Sequence, residues 1–354
     1  MAAPRWVGWL EETMPYYNKD MQDTLSRYRP ELMLSMKKAT KHFGRKYGSD
    51  EYRWYPKVSR PTTYKTEPGA TIPFARNRLF REARMGFVEY RTPTALTRVD
   101  HTLADTENTI IDYVTENQSS LEDSLAHQLS VDFLGNDGHG AGDLAMGISG
   151  MQSFLGMGAA NADGKRRLPN DNYANLSTVY GAFGGDGEED DNYVVWSPNI
   201  IDYTGTGWGT SPATWSDRCL EAINFGMQLT AYRNQDPGFV DMLLVESVTM
   251  WNDLLLKLFE RQEFVVQQGK DTDDLTQMGF LHVQYRNCKI LPSQSVLANR
   301  GYGINNGNVT WWSMSPNKGN MYDRYSDYET GSATYRWELC FTGNVIFGTP
   351  LRHF

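Results

Sequence analysis

The residues of this chain that could do chemistry are found in glycine-rich segments, in acidic clusters and among isolated histidines. The segment GAANADGK, from Gly158 to Lys165, resembles a phosphate-binding loop. It has five residues between its glycines, whereas that loop has four, and Arg166 follows where a serine or threonine would hold magnesium. We therefore predict that this segment binds no nucleotide phosphate.

Two other glycine-containing motifs also depart from the patterns that they resemble. In GISGM, Gly150 directly follows Ser149, whereas the strained turn of a G-x-S-x-G nucleophile needs one residue between them. A dinucleotide-binding fingerprint has the pattern G-x-G-x-x-G, whereas the glycines at 205, 207 and 209 follow the pattern G-x-G-x-G. The sequence thus indicates neither an activated serine nor a dinucleotide site.

Metal-ligand spacing is not found in the sequence either. The 6 histidines never form an H-E-x-x-H pattern, and isolated histidines are usually structural. The acidic segment 186–191 suggests a calcium loop, but an EF-hand needs glycine at its sixth position and glutamate at its twelfth, where this chain has Asp191 and Ser197. We interpret the segment as a solvated surface loop and leave calcium binding by this loop open. We predict no other metal site and no cofactor.

One region leaves catalysis open as an alternative. Asp323, Asp327 and Glu329 lie in or beside the aromatic and glycine-rich stretch from Tyr302 to Tyr328, as in some hydrolases or sugar-binding enzymes. No partner base or nucleophile can be assigned to these acids. We therefore predict that the chain is not an enzyme.

Composition predicts a folded protein. Of the 354 residues, 40% are hydrophobic and 13% aromatic, which is enough apolar surface for a core and for interfaces. No stretch approaches 18 consecutive apolar residues, and the start MAAPRWVGWLEE has acids where a signal peptide would be apolar. We expect a soluble protein that stays inside the cell. The 3 cysteines are widely spaced and predict neither disulfides nor a metal site.

Charge is divided unevenly along the chain. Residues 1–100 hold 19 lysines and arginines against 11 acids, a net charge of +8, whereas the remainder has a net charge of −17. A basic leading segment on an acidic body suggests contact with a polyanion or with the acidic face of a neighbouring copy of the chain. Both interpretations involve a partner.

The basic part of the chain is predicted to be an arm followed by a hairpin. The arm carries a helix from Pro30 to Phe43, with Leu32 on its apolar stripe. The basic residues of the arm are Lys37, Lys38, Lys41, Arg45 and Lys46. A solvated helix face and a contact with nucleic acid or with an acidic neighbour both fit this pattern, and a membrane surface fits it least.

Residues 71–92 are predicted to form two strands around a polar turn. Because apolar and basic residues occur on both faces, the pattern favours a hairpin that projects onto another subunit, with an ordinary charged edge hairpin as the alternative. The predicted subunit-interface residues are Arg76, Arg78, Arg81, Arg84, Phe87 and Tyr90.

The strongest helical pattern runs from residue 106 to residue 134. Such a helix would be about 43 Å long, more than one small domain needs, so we interpret it as a spine. Its predicted core residues are Ile111, Val114, Leu121, Leu125 and Leu129.

Strands and helices alternate in the rest of the chain. The patterns predict a helix from Thr214 to Tyr232, a buried strand at 240–245, a helix from Ser247 to Arg261 and a hairpin at 280–291. Residues 333–347 alternate between apolar and polar and predict one long strand bent at Gly343. This order of elements indicates an α+β fold.

Taken in order, these parts resemble the major capsid proteins of tailed bacteriophages, the fold named for phage Hong Kong 97. The resemblance covers about residues 60–354. It rests on element order and on the segments LSVDFLGNDG, GISGMQSFLG, VDMLLVESVTMWNDLLLKLFERQEF and VQYRNCKILPSQSV. The resemblance implies an N-terminal arm (1–60), an extended hairpin called the E-loop (61–104), a P-domain with the spine helix and long strand (105–145 plus 315–354), and an A-domain (146–314).

The resemblance also implies a function. Such a protein self-assembles in the host cytoplasm into hexamers and pentamers of an icosahedral virion head that encloses double-stranded DNA. Portal and scaffolding proteins would be partners, a cement protein is left open, and no membrane is involved. An encapsulin, a nanocompartment shell protein of the same fold, is the alternative, and the basic arm favours a genome over an enzyme cargo.

Some relatives crosslink a hairpin lysine to an asparagine of a neighbour. Residues 71–98 of this chain contain no lysine. We therefore expect no covalent crosslinking, and we expect Asn344 to be an ordinary strand residue.

Overall fold

The structure is a computed structural model of the chain. It describes residues 32, 35, 40–42, 51–59, 65–69, 71, 79–97, 107–135, 147–185, 187, 190–209, 213–234, 242–261, 283–285, 288–313, 320–326 and 334–354. Within these ranges no helix is long and apolar enough to cross a membrane.

The described ranges contain both helices and strands. The helices with described bounds are α1 (Glu107–Gly135), α2 (Asp191–Val194), α3 (Trp215–Asn234) and α4 (Val248–Arg261). The strands are β1 (Thr40–His42), β2 (Glu51–Trp54), β3 (Ala83–Gly86), β4 (Val88–Thr97), β5 (Met157–Ala160), β6 (Arg166–Pro169), β7 (Asn172–Tyr173), β8 (Leu176–Ser177), β9 (Ile200–Ile201), β10 (Met242–Glu246), β11 (Val283–Tyr285), β12 (Cys288–Pro292), β13 (Gly301–Asn305), β14 (Val309–Ser313), β15 (Asn320–Ser326) and β16 (Thr334–Phe347).

Helix α1 is the predicted spine. Its 29 residues match the predicted range to within one residue at each end. Ile111 and Val114 lie in this helix, but their side chains are outside the described part. The buried apolar residues of α1 are Leu121, Leu125, Ala126, Leu129, Phe133 and Leu134. The four-residue spacing of most of them forms one stripe, as the sequence predicts, and this stripe packs against β4 and β16.

Strand β16 is the predicted long terminal strand, and it is the centre of the largest sheet. It pairs in antiparallel fashion with β4, β14 and β15, while β1 adds to β14 in parallel. The buried residues of its predicted apolar face are Leu339, Phe341, Val345 and Phe347. The opposite face is buried as well, because Cys340, Asn344 and Ile346 are each 4% exposed. The second half of this strand therefore lies inside the protein.

A smaller sheet and two helices form a second layer. The sheet has the order β11-β12-β10-β13, and its central strand β10 is parallel to β12 and antiparallel to β13. Helices α3 and α4 pack against each other, with Leu220, Ile223, Leu254 and Leu258 in their common core. The predicted sequence of strand, helix and hairpin is thus confirmed.

The prediction of a continuous arm helix from Pro30 to Phe43 is wrong. Leu32 and Ser35 are helical and buried, but Thr40–His42 forms β1, which pairs with β14. Lys41 therefore lies on an edge strand opposite Trp312, where sheet pairing overrides the local helical pattern. The other predicted basic arm residues, Lys37, Lys38, Arg45 and Lys46, lie outside the described residues.

The glycine-rich segments have structural roles. Gly158 to Lys165 forms part of the β5–β6 hairpin, so a strand follows where a phosphate loop would need a helix. Gly150 lies against the backbone of α1, where an added side-chain carbon would collide with the Asp132 carbonyl oxygen. Ser149 is 2% exposed.

The ranges of the P-domain and the A-domain remain predictions. One strand of the predicted A-domain range pairs with a strand of the predicted P-domain range. Val309–Ser313 lies within the range 146–314, but it pairs with β16 in the large sheet. The segment thus contributes to the same sheet as the terminal strand.

Leu125→Asp tests the packing of the spine helix. Leu125 is 1% exposed, so the substitution buries an unpaired carboxylate and should cost several kcal/mol of unfolding free energy. We expect insoluble or unassembled protein, measured by soluble yield and thermal melting. Ser124→Asp, at the neighbouring exposed position, is the control and should melt within a few degrees of the unchanged chain. Normal solubility and melting of Leu125→Asp would contradict the packing.

Candidate subunit interface

A hairpin of strands β2 and β3 lies beside several of the predicted interface residues. Glu51 is opposite Gly86 and Trp54 is opposite Ala83, and a further bridge joins Lys57 to Phe80. The partner of β3 thus comes from the segment assigned to the arm, whereas the first strand predicted within 71–92 lies mostly outside the described residues. The alternation of Tyr52 and Trp54 with charged residues was the available signal for this strand.

The two faces of this hairpin differ in chemistry. Ala83 and Met85 are buried, and Tyr52 and Trp54 are half-buried beside them. The ring of Tyr52 lies 4.2 Å from that of Trp312 on β14. Because side chains alternate across a strand, the intervening residues point outward. The base of the hairpin thus packs on its own subunit with an aromatic face and presents a charged face outside.

Two arginines meet on the outward face. Arg53 and Arg84 are direct partners across the strands, an arrangement that is unfavourable for like charges. The charge of Arg53 is compensated by two carboxylates. Its guanidinium nitrogens lie 3.4 Å from a carboxylate oxygen of Glu51 and 3.1 Å from one of Glu82. Within the described part of the chain, the exposed side chain of Arg84 forms no ion pair. Arg84 therefore presents a positive charge that a neighbouring molecule could pair.

Large aromatic side chains are also exposed where the hairpin continues beyond its strands. Tyr55 is 63% exposed and Phe80 is 53% exposed. Aromatic residues together with arginine are enriched at the centres of protein interfaces. This combination is suited to contact with another protein.

The remaining predicted interface residues have different environments. Arg81 is half-buried, and its Nε atom is shielded without a hydrogen-bond partner in the described part of the chain. Phe87 is half-buried at the step between β3 and β4. Arg76 and Arg78 lie outside the described residues. The interface role of these four residues remains a prediction.

Tyr90 is not an exposed interface residue, so that prediction is wrong. It is 9% exposed, its hydroxyl donates to Asp132 Oδ2 at 2.5 Å, and it accepts from the Ile148 N–H at 2.7 Å. Strand β4 pairs with β16 along ten residues, and this register turns Tyr90 toward α1. Burial raises the pKa of Asp132, although the hydrogen bonds from Tyr90 and Gln128 oppose that shift.

Asn344 lies on strand β16, as expected, and it also joins three segments at the foot of the hairpin. Its Oδ1 accepts from the Ser149 N–H at 2.9 Å, and its Nδ2 donates to the Gly86 carbonyl at 2.7 Å. The asparagine thereby ties β16 to the end of β3 and to the segment after α1. A polar residue inside the apolar run CFTGNVIF was the signal in the sequence.

Metal-ligand clusters and cysteine thiols can be assessed in the described residues. No group of three histidine, cysteine or acidic side chains there could hold a metal ion. Burial raises the pKa of both Cys219 and Cys340 to about 11, so these thiols are poor nucleophiles. Asp323 lies on β15 opposite Glu338 of β16. Asp327 and Glu329 lie outside the described residues.

Comparison with known proteins gives a match in structure but not in sequence. No family model and no curated protein matches the chain. The capsid chain of cyanophage A-1(L) is 14% identical with a TM-score of 0.53, and the alignment covers 91% of this chain and 93% of that one. The capsid chain of a native GTA particle is 10% identical with a TM-score of 0.51, covering 90% and 88% of the two chains.

The coverage of about nine-tenths of both chains decides the comparison, because the likeness is not confined to one sheet or one helix pair. This chain has the phage major capsid fold. A capsid chain from an empty GTA particle gives the same result, at 9% identity and a TM-score of 0.50 over 90% of this chain and 94% of that one. The α+β class and the capsid fold predicted from the sequence are confirmed. At such identities the likeness shows the fold alone.

Asn344→Ala tests the junction at the foot of the capsid-fold hairpin. The change leaves the Ser149 N–H and the Gly86 carbonyl without their partner, which should cost about 2 to 4 kcal/mol of unfolding free energy. Denaturant unfolding measures the loss. Asn172→Ala, at an exposed strand position, is the control and should change stability by less than about 0.5 kcal/mol. Equal stabilities of the two variants would contradict the role of Asn344.

Proposed function

We propose that this chain is the major capsid protein of a tailed phage and assembles into the hexamers and pentamers of an icosahedral head that encloses double-stranded DNA. The observation that carries the proposal is the capsid fold, which extends over about nine-tenths of the chain. A likeness confined to one sheet or one helix pair would be compatible with many activities, whereas here about nine-tenths of the chain follows the fold of capsid chains.

In this proposal the hairpin of β2 and β3 is the base of the E-loop, and it contacts a neighbouring subunit. Three features support this role. The outward face carries Arg84 without an ion pair in the described residues, the continuation carries the exposed rings of Tyr55 and Phe80, and the base is anchored by Asn344. An anchored base with a polar and aromatic outer surface can transmit force between subunits without unfolding.

The charge distribution provides the complementary surface. The chain after residue 100 has a net charge of −17, so the acidic body of one copy can face the basic hairpin of the next. Each such contact is exposed and therefore weak, because surface ion pairs contribute about 0 to 1 kcal/mol. A closed shell repeats every contact many times, so weak pairs suffice for a stable assembly.

The partners follow from the same proposal. Portal and scaffolding proteins would act during assembly, and packaged DNA would lie inside the shell, with the basic arm in contact either with this DNA or with an acidic neighbouring subunit. No catalytic role is proposed for the chain. The alternative is an encapsulin-type compartment, which would share the fold and the assembly contacts but would enclose a protein cargo.

Electron microscopy of the expressed chain tests assembly directly. We expect closed icosahedral particles, either from the chain alone or after co-expression with the other head genes of its source. Nuclease treatment of particles from infected cells separates the two functions, since a phage head protects DNA and an encapsulin protects protein cargo. A chain that remains monomeric under both expression conditions would contradict both the phage-head and the encapsulin function.

Arg84→Glu tests the hairpin contact. If Arg84 pairs with acids of a neighbour, charge reversal should reduce empty-shell yield at least several-fold without lowering the melting temperature of the subunit. Arg84→Lys retains the charge at the same position and should assemble. Moderate salt should weaken assembly of the unchanged chain, because exposed charges are screened over about 8 to 10 Å. A normal shell yield from Arg84→Glu would contradict a contact between Arg84 and acids of a neighbouring subunit.

A further inference from the structure

A cavity of about 380 Å³ lies between the β9 segment, the start of α3, the end of β10 and the start of β13. This volume is in the range of small-molecule sites. The apolar part of its wall includes Ile200, Ile223, Met250 and Phe354. The wall shares no residue with the β2–β3 hairpin.

Glu246, the last residue of β10, forms part of this wall. It is 0% exposed, and neither of its carboxylate oxygens has a hydrogen-bond partner in the described part of the chain. Its backbone is held firmly, because its carbonyl accepts from the Ser293 N–H at 2.9 Å and the strand pairs on both sides. An unpaired acid in such a place costs free energy, and buried polar groups nearly always have a partner.

Aromatic side chains flank the same cavity. The rings of Tyr203 and Trp215 meet edge to face with centroids 5.2 Å apart, and Trp215 is fixed by a hydrogen bond from its Nε1 to the Met250 carbonyl at 2.9 Å. Aromatic faces attract cations. An acid beside aromatic and apolar walls is the combination that recognises an organic cation with an apolar body.

The other charged groups of the cavity wall form hydrogen bonds. The Arg167 guanidinium donates to Asp202 Oδ2 at 2.7 Å, and Arg300 donates to the neutral side-chain carbonyl of Gln152. Among the described wall residues, Glu246 is therefore the buried ionisable side chain that lacks a hydrogen-bond partner. A cationic ligand would supply this partner, whereas an anionic ligand would meet the same acid unfavourably.

We propose that this cavity binds an organic ammonium compound with a short apolar chain, whose N–H groups pair with the Glu246 carboxylate. The Glu246 side chain turns toward the cavity as the ligand enters, and the apolar chain of the ligand lies against Ile223, Met250 and Phe354. The proposal does not depend on assembly, since every residue involved belongs to one chain.

Burial also couples this binding to pH. It raises the pKa of Glu246 to about 8, so the acid is largely protonated at neutral pH in the free protein. An ammonium ligand needs the ionised form, so binding releases a proton and weakens as pH falls below 8. Among the charged or titratable groups near Glu246, Cys219 of α3 interacts with it electrostatically, and Arg300 and Tyr302 line the same cavity.

Binding of hexylammonium to the full chain, followed by calorimetry and thermal melting, tests the proposal. We expect stabilisation by hexylammonium and none by hexanol or hexanoate at the same concentration. Since each pH unit below the pKa reduces the ionised fraction about tenfold, the affinity should fall about 100-fold between pH 9 and pH 6. Hexylammonium stays charged across this range, so the change would report the protein group.

Two variants assign the effect to the cavity. Glu246→Gln removes the acid and should abolish binding, whereas Glu221→Gln, at an exposed position of α3, should bind as the unchanged chain does. Ala222→Leu fills the cavity and should also abolish binding, which keeps the test decisive if Glu246→Gln does not fold. Absence of hexylammonium binding at millimolar concentration and pH 9, equal binding of hexanol, undiminished binding to Glu246→Gln, or an affinity independent of pH would each overturn the proposal.

Discussion

The rest of the structure depends on the burial of strand β16 between its neighbours. This strand pairs with three others, and its second half is covered on both faces, so its backbone can satisfy its hydrogen bonds only through the sheet. Phe347 shows how the layers converge there, because its ring lies 5.8 Å from Phe133 of the spine helix and 5.1 Å from Phe154. The spine helix packs on this strand, and the β2–β3 hairpin is tied to it through Asn344.

Asn344 and Tyr90 show how polar groups are used within that apolar arrangement. Each side chain bonds to segments that lie far away in the chain, Asn344 to Ser149 and Gly86, and Tyr90 to Asp132 and Ile148. Apolar contacts tolerate small displacements, whereas a buried hydrogen bond loses most of its value when its geometry is lost. These contacts therefore hold segments that are remote in the chain in fixed positions relative to one another.

Buried ionisable groups give the fold opposing responses to pH. The pKa of Glu246 is raised to about 8 from 4.5, so its contribution to stability is present below pH 4.5 and is lost as pH rises through 8. Burial and the nearby Arg352 lower the pKa of His353 to about 3 from 6.5, so its contribution is present above pH 6.5 and is lost as pH falls through 3. His353 is thus a neutral structural histidine that accepts from the Asn305 N–H, in agreement with the interpretation of isolated histidines.

The sequence by itself determined the elements whose signal is local and periodic. The apolar stripe of α1, the alternation of β16 and the strand, helix and hairpin of the second layer were all readable, because each buries one face of a regular repeat. Only the tertiary structure decided which strands pair. Glu51–Trp54 pairs with Ala83–Gly86, Thr40–His42 joins β14, and Tyr90 turns inward, because register depends on neighbours that are remote in the chain. The Glu246 cavity likewise needed the tertiary structure. The sequence around a glutamate at the end of a strand does not indicate whether water or apolar side chains surround its carboxylate.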